Sequence, residues 1–257
     1  MWRPEVIDLS QFYQSHLGQL ARWYLRRDLR TLWPDVSGMS VLGLGYATPL
    51  LRPFLNEAER VVAAMPASQG VHHWPRDGQN HVMLCDEFDL PLPEASFDRI
   101  LVAHCLETSE STAALLREVW RCLAPGGRAV FIVPNRTGLW IRAEHTPFAH
   151  GQPYTRGQLV RLLGAHMFQA EHVVTSLNIP PSRWRFLMRA NQLFDRLGRQ
   201  FWPRVGGAVM AEASKQIYAM PPARRSRLPR ALIRPVIGTV RPVGQTRSQR
   251  APSTGDH

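Results

Sequence analysis

The sequence predicts an α/β fold, a mostly parallel seven-stranded sheet with helices on both faces. Three observations predict it. Short apolar runs alternate along the chain with segments of helical periodicity, the pattern left by parallel strands buried on both sides. The first such run, SVLGLGY at Ser40–Tyr46, leads into a glycine turn and then a helix start. Hydrophobic residues make up 44% of 257, enough for one sizeable buried core.

The elements follow in order. Residues 10–33 read as one helix, because Leu17, Leu20, Tyr24 and Leu25 recur at helical spacing with arginines between them. SVLGLGY is strand one. A helix is expected over TPLLRPFLNEAE, with Thr48 as cap and Pro49 in the first turn, although Pro53 falls in its middle. RVVAAMP, HVMLCD and FDRILVAHCLE are strands two to four. SESTAALLREVWRCLA is a helix capped by Ser109 or Ser111 and stopped by a tight turn at Pro125, Gly126 and Gly127. GRAVFIVPN is strand five, TRGQLVRLLGAHMF a helix, AEHVVTSLN strand six and GGAVMAEASKQIYA strand seven. The expected organisation is an N-terminal helical extension over 1–37, a main domain over 38–220, and a basic tail over 221–257. Within the main domain, 180–204 reads as an amphipathic helical cover between strands six and seven.

The net charge of +11 belongs mostly to the tail. Residues 221–257 hold eight arginines against Asp256, a net +7, which leaves +4 for the rest. This stretch is rich in Pro, Ser and Arg and poor in large apolar residues, the composition of a disordered segment. Electrostatic contact with nucleic acid or anionic lipid is one reading of it. A solvated tail is favoured, because no aromatics are interleaved for base stacking. No apolar run of about 18 residues is present, so no membrane span is expected, and the N-terminus lacks the apolar stretch of a secretory signal. Cys85, Cys105 and Cys122 lie in apolar segments, as buried thiols of a reducing cytoplasm do. His72, His73, His81 and Cys85 match no standard zinc spacing, so no metal is expected.

Three segments carry a more specific signal. VLGLGYATP is the turn after strand one. DEFDLPLPEASFDRILVAHCLE, Asp86–Glu107, leads into strand four. LLREVWRCLAPGGRAVFIVPN, Leu115–Asn135, spans a helix, a glycine turn and strand five. In order and spacing, these resemble the class I S-adenosylmethionine-dependent methyltransferases of the small "type 11" kind, with good specificity over about 40–135 and more loosely to 220. The resemblance implies a Rossmann-like doubly wound sheet, S-adenosylmethionine as cofactor, and methyl transfer to a small-molecule or protein acceptor. It places Gly43, Gly45, Tyr46 and Ala47 along the methionine and ribose of the cofactor, and Asp86 and Glu87 at the adenine. Met65 stands at the end of strand two and His104 near the methyl-donating sulfonium. A turn-capping role for Asp86 and an interior role for His104 stay open beside these. Asp98 is expected to order the turn into strand four.

The departures from the family pattern are as informative. The family carries an acid where Gly43 stands and glycines where Ala47 and Pro49 stand. Nucleotide folds place an acid at the end of strand two to grip the ribose hydroxyls. Here that position reads AAMPASQ, with Met65 and Pro66, while Glu57 and Glu59 precede the strand and sit at its wrong end. Losing a charged acceptor costs on the order of 1.5–3 kcal/mol; Ser68 or Gln69 would be a neutral substitute. Methyl transfer needs donor and acceptor in line, and a base only where the acceptor sheds a proton. Base candidates are His104, beside Glu107, and His145 and His150 in the long loop after strand five. A catalytically inactive methyltransferase-like binding or regulatory protein is the alternative. A nucleic-acid modifier rests on the tail alone, and an RNA complex lost on deleting 221–257 would support it.

Overall fold

The computed structural model describes residues 4–181 and 206–216. By contacts the chain divides into Met1–Ala219 and Met220–His257. The predicted tail over 221–257 and nearly all of the predicted cover over 180–204 lie outside the described residues.

Seven strands form one sheet in the order β3-β2-β1-β4-β5-β7-β6. They are β1 (Ser40–Gly45), β2 (Arg60–Pro66), β3 (Val82–Cys85), β4 (Phe97–Ala103), β5 (Leu123–Pro134), β6 (Phe168–Ser176) and β7 (Ala208–Lys215). β1 runs parallel to β2, with Gly43 beside Ala63, and to β4, with Gly45 beside Ala103. β5 continues the parallel set, while β7 is antiparallel to both β5 and β6. Strand order therefore reverses between β1 and β4, where a crevice opens at the carboxyl ends of such strands.

Side-chain alternation gives the central strands two buried faces. Val41, Ala63, Leu101, Ala103, Val130 and Ile132 point to one side. Leu42, Leu44, Ala64, Ile100, Val102 and Phe131 point to the other. That is why the strands read as continuous apolar runs rather than alternating ones. The first face is covered by α2 (His16–Leu32) through Leu17, Ala21, Tyr24, Leu25 and Leu29. The second is covered by α4 (Thr112–Cys122) and α5 (Arg156–Ala165) through Leu115, Leu116, Val119, Leu159 and Leu163. Ser176 at the end of β6 donates to buried Asp28 of α2 at 2.6 Å and pins that helix to the sheet. All three cysteines are buried and none forms a disulfide, and burial pushes the Cys85 thiol up to about 12 and Cys122 up to about 11.

Four expectations need correction. The helix over 10–33 is two helices, α1 (Val6–Gln14) and α2, broken at Ser15. Ser15 has extended backbone, and its hydroxyl accepts from Gly18 N at 3.1 Å. A Cβ on Gly18 would stand 1.8 Å from Phe12 O, so this glycine lets α1 fold back against α2. The helix over TPLLRPFLNEAE shrinks to α3 (Thr48–Leu51) and a 3-10 turn, with Ala47 rather than Thr48 at the cap position; Pro53 breaks the ladder. Pro125–Gly127 is no stop, since α4 passes directly into β5 and the glycines fall at a register shift, with Gly126 at φ +76°. The loop after β5 holds two 3-10 turns, Leu139–Arg142 and Pro147–Ala149. Among the cap expectations, Ser111 caps α4 by accepting from Ala114 N. Asp98 accepts from Ser40 N at 2.9 Å and ties β4 to the start of β1. Glu57, at the wrong end of β2, pairs with Arg30 instead.

Candidate functional site

The crevice is built from three strand ends. The turn after β1 comes first. Gly45, at φ +81°, lies so close to β4 that a Cβ would stand 2.4 Å from Ala103 O and 2.6 Å from Cys105 Cβ. Gly43 is also required, but by the protein itself: its Cβ would meet Leu51 at 2.4 Å and Ala47 at 2.8 Å. The missing side chain at Gly43 therefore lets α3 pack down on β1. Tyr46 and Ala47 follow and are buried.

The end of β2 carries Met65, fully buried, then Pro66 and a turn to Gln69. Gln69 is buried, and its side-chain amide donates to His104 O at 2.8 Å, so the stretch after β2 reaches across the sheet edge toward β4. The Gln69 carbonyl accepts from Val6 N at 2.8 Å, which anchors the start of α1.

His104, just past β4, sits in the left-handed region at φ +53° with its ring buried. Tyr13 Oη lies 2.7 Å from His104 Nε2, and His104 Nδ1 lies 3.5 Å from Glu107 Oε1. Burial, then the neighbouring Tyr46 and Glu107, push the Tyr13 hydroxyl far up, so it remains an O–H donor. A neutral hydroxyl at this distance pairs with His104 Nε2, and the other ring nitrogen, Nδ1, faces the Glu107 carboxylate.

Above these groups lies α1. Leu9 and Tyr13 join Tyr46 and Met65 in one buried cluster. The Tyr13 ring stacks on Tyr46 at 5.9 Å and meets His104 edge-on, while Phe148 covers the opposite flank of His104 at 5.1 Å. With α1 seated, the space between the β1 turn, the end of β2 and His104 is filled by the protein. The wall of that space nevertheless carries buried polar atoms with no hydrogen-bond partner, Gln69 Oε1, His104 Nδ1 and Glu107 Oε2. Buried polar atoms are ordinarily satisfied, so these are the marks of a site that accepts a polar ligand. The polar atoms of this lining are of the kind an adenosyl donor would engage, and Leu9 and Tyr13 of α1 occupy the space in front of them.

The other anticipated residues are placed as follows. Asp86, at the end of β3, is exposed and accepts from Phe88 N at 2.9 Å, closing a turn. Glu87 beside it is buried. His145 and His150 are not among the groups bonded to His104. They line a cavity of about 300 Å³ on one flank of α1, shared with Asp8, Leu9 and Phe12, and His150 Nε2 lies 2.9 Å from Glu144 O. Among the described residues no three His, Cys, Asp or Glu side chains are grouped to hold a metal, and no helix is long and apolar enough to cross a membrane. Sequence reasoning missed Leu9 and Tyr13. Tyr13 is one apolar position among many in an N-terminal helix, and no local motif ties it to His104, 91 residues away.

Comparison with known proteins agrees with this architecture. Residues 42–131 match the methyltransferase domain family. The chain is 32% identical over 107 residues to the demethylmenaquinone methyltransferase of Deinococcus radiodurans, a stretch covering 41% of this chain and 44% of that protein. Among solved structures, a methyltransferase from Thermotoga maritima described as a possible histamine N-methyltransferase superposes with a TM-score of 0.58 at 16% identity, covering 82% of this chain and 96% of that one. The 1,6-didemethyltoxoflavin-N1-methyltransferase of Burkholderia thailandensis, solved with S-adenosylhomocysteine, superposes with a TM-score of 0.50 at 18% identity, covering 74% of this chain and 76% of that one. At such identities the structural likeness shows the fold.

Proposed function

We propose that this chain, whose residues 42–131 belong to the methyltransferase domain family and whose fold is that of the class I S-adenosylmethionine-dependent methyltransferases, methylates a small-molecule or protein acceptor at the crevice between β1, β2 and β4. The observation that carries this reading is the convergence of the Gly43–Ala47 turn, Gln69 and the His104–Glu107 pair on a lining with unpartnered polar atoms.

S-adenosylmethionine, when bound, supplies an electrophilic methyl group on a sulfonium. The chain's residues hold and orient it. Gly43, Gly45, Tyr46, Ala47 and Met65 border the methionine and ribose, and Asp86 and Glu87 border the adenine. Gln69 Oε1 is the neutral acceptor standing in for the absent acid of β2. His104 is a buried imidazole whose Nδ1 lies 3.5 Å from Glu107 Oε1. Once Tyr13 withdraws, its Nε2 is free to take a proton from an acceptor hydroxyl or amine, and Glu107 holds the ring in that tautomer. His145 and His150 stand on the acceptor side of the same edge. Withdrawal of α1 opens the crevice, and its return excludes water from it.

A non-catalytic binding role is the second reading. It is favoured by the missing acid at the end of β2 and by the filled crevice. Calorimetric titration with S-adenosylmethionine and S-adenosylhomocysteine separates the two. Micromolar binding is expected. Absence of binding at millimolar ligand, both in the native chain and in Tyr13→Phe, would leave the non-catalytic reading standing.

A further inference from the structure

The flank of α1 opposite His145 and His150 holds a second cavity, of about 370 Å³, with a different chemistry. Four arginines line it: Arg22 and Arg26, one turn apart on α2, Arg52 just beyond α3, and Arg76 in the stretch after β2. His72 and His73 complete the polar wall, and no carboxylate lines the cavity. Four arginines elsewhere are matched by acids. Arg27 pairs with Asp28, Arg30 with Glu57, Arg121 with Glu118, and Arg128 with Glu212. Among the described residues, Arg22, Arg26, Arg52 and Arg76 have no such acid.

Arg22 and Arg26 are half-buried at the base of the cavity, while Arg52 and Arg76 stand exposed at its rim. Arg26 Nε donates to Pro49 O at 2.7 Å, which fixes the guanidinium and leaves its terminal NH2 groups for a ligand. His72 Nε2 lies 3.5 Å from Thr48 Oγ1, and its Nδ1 is buried without a partner. Burial, with Arg22 and Arg52 adding to it, lowers Arg26 to about 10. Repulsion among like charges in a concave, partly desolvated site is a standing cost that an anion would relieve. Guanidinium forks match the oxygens of phosphate bidentately, and the volume suits a small molecule.

We propose that this cavity is a binding site for a small soluble anion bearing two or more phosphoryl charges, a diphosphate or a phosphate ester, held by Arg22, Arg26, Arg52 and Arg76. The proposal does not rest on methyl transfer: Tyr13 and Tyr46 line both spaces, but the four arginines that would hold the anion are not among the residues assigned to the crevice.

The test is calorimetric titration of the full chain with inorganic pyrophosphate. Arg52 and Arg76 are exposed and have no ion pair among the described residues, so R52Q/R76Q removes two cavity charges with little risk to the fold. It should weaken pyrophosphate binding tenfold or more. R224Q/R225Q, which removes the same charge from the basic tail, should change the affinity less than twofold. Pyrophosphate should also raise the melting temperature of the native chain and not that of R52Q/R76Q. Equal weakening by both double variants would overturn the proposal, and so would unchanged affinity in R52Q/R76Q. Failure of pyrophosphate to bind, while vesicles containing phosphatidic acid capture the chain, would overturn it in favour of a lipid surface.

Discussion

Tyr13→Phe is the sharpest probe of a crevice that α1 closes. The change keeps the ring that stacks on Tyr46 and removes only the hydroxyl 2.7 Å from His104 Nε2. A buried acceptor left without its donor costs about 1–3 kcal/mol. Taking about 1.5 kcal/mol, the closed arrangement loses roughly a factor of ten against any arrangement in which α1 is released. Two results should appear together. Melting should fall by roughly 3–6 °C for a domain of this size. Binding of S-adenosylhomocysteine should tighten by up to about tenfold, because a ligand competing with the closed state gains what that state loses. Calorimetry and a thermal melt read both quantities on one sample. A variant that melts lower yet binds S-adenosylhomocysteine no better would refute the idea that α1 gates the crevice. Tyr13 would then be a plain core residue.

Other perturbations bear on the same structure. Gly45→Ala places a side chain at φ +81° and 2.4 Å from Ala103 O, so the domain should lose more than about 2 kcal/mol, read as a large drop in melting temperature or loss of soluble protein. Asp86→Ala should weaken S-adenosylhomocysteine by about tenfold with little change in melting; unchanged calorimetric affinity would restrict Asp86 to closing its turn onto Phe88. Burial works to raise Glu118, but its hydrogen bonds from Arg121 and from Leu90 N win and hold it below the ordinary carboxylate value. Bonding to Arg30 does the same for Glu57. Groups depressed in the folded state stabilise above their unfolded value and lose that contribution as pH falls through the folded one. Melting temperature should therefore drop below about pH 4.3, and less steeply in E57Q/E118Q. An identical slope in that variant would remove these two pairs as the cause.

Legibility in the sequence followed the range of the interactions involved. The central strands were readable because burial on both faces leaves them as apolar runs, and Val41–Leu44 or Ile100–Ala103 needs no partner information to be recognised. Caps such as Ser111 are local and were readable too. The break at Ser15 was not. Helical periodicity continues through it, and only the close approach of Gly18 to Phe12 O separates α1 from α2. The order β5-β7-β6, with β7 inserted antiparallel, also leaves no local trace. At the site, the glycine turn and the position of His104 were legible from motif spacing, and the absence of an acid after β2 was legible from Met65 and Pro66. What filled the space was not. Leu9 and Tyr13 belong to a helix whose apolar side looks like any other, and Gln69 reaches His104 O across 35 residues.

The two sites are joined by shared walls, and that has a measurable consequence. Tyr13 and Tyr46 belong to the cluster that fills the crevice and also line the arginine cavity, together with Ser10 and Gln14 of α1. An anion held by Arg22 and Arg76 would touch the seated α1, whereas on the proposed reading a ligand in the crevice displaces α1. Occupancy of one site should therefore disfavour the other. Linkage demands that the effect be reciprocal: the factor by which saturating pyrophosphate weakens S-adenosylhomocysteine equals the factor by which saturating S-adenosylhomocysteine weakens pyrophosphate. A coupling of about 1–2 kcal/mol, within the ordinary range, would appear as roughly a five- to thirtyfold loss in each direction. Tyr13→Phe, by weakening the seat of α1, should tighten S-adenosylhomocysteine and loosen pyrophosphate together. Additive binding, with neither ligand altering the other's calorimetric affinity, would mean that α1 lines the cavity without its position depending on what the cavity holds.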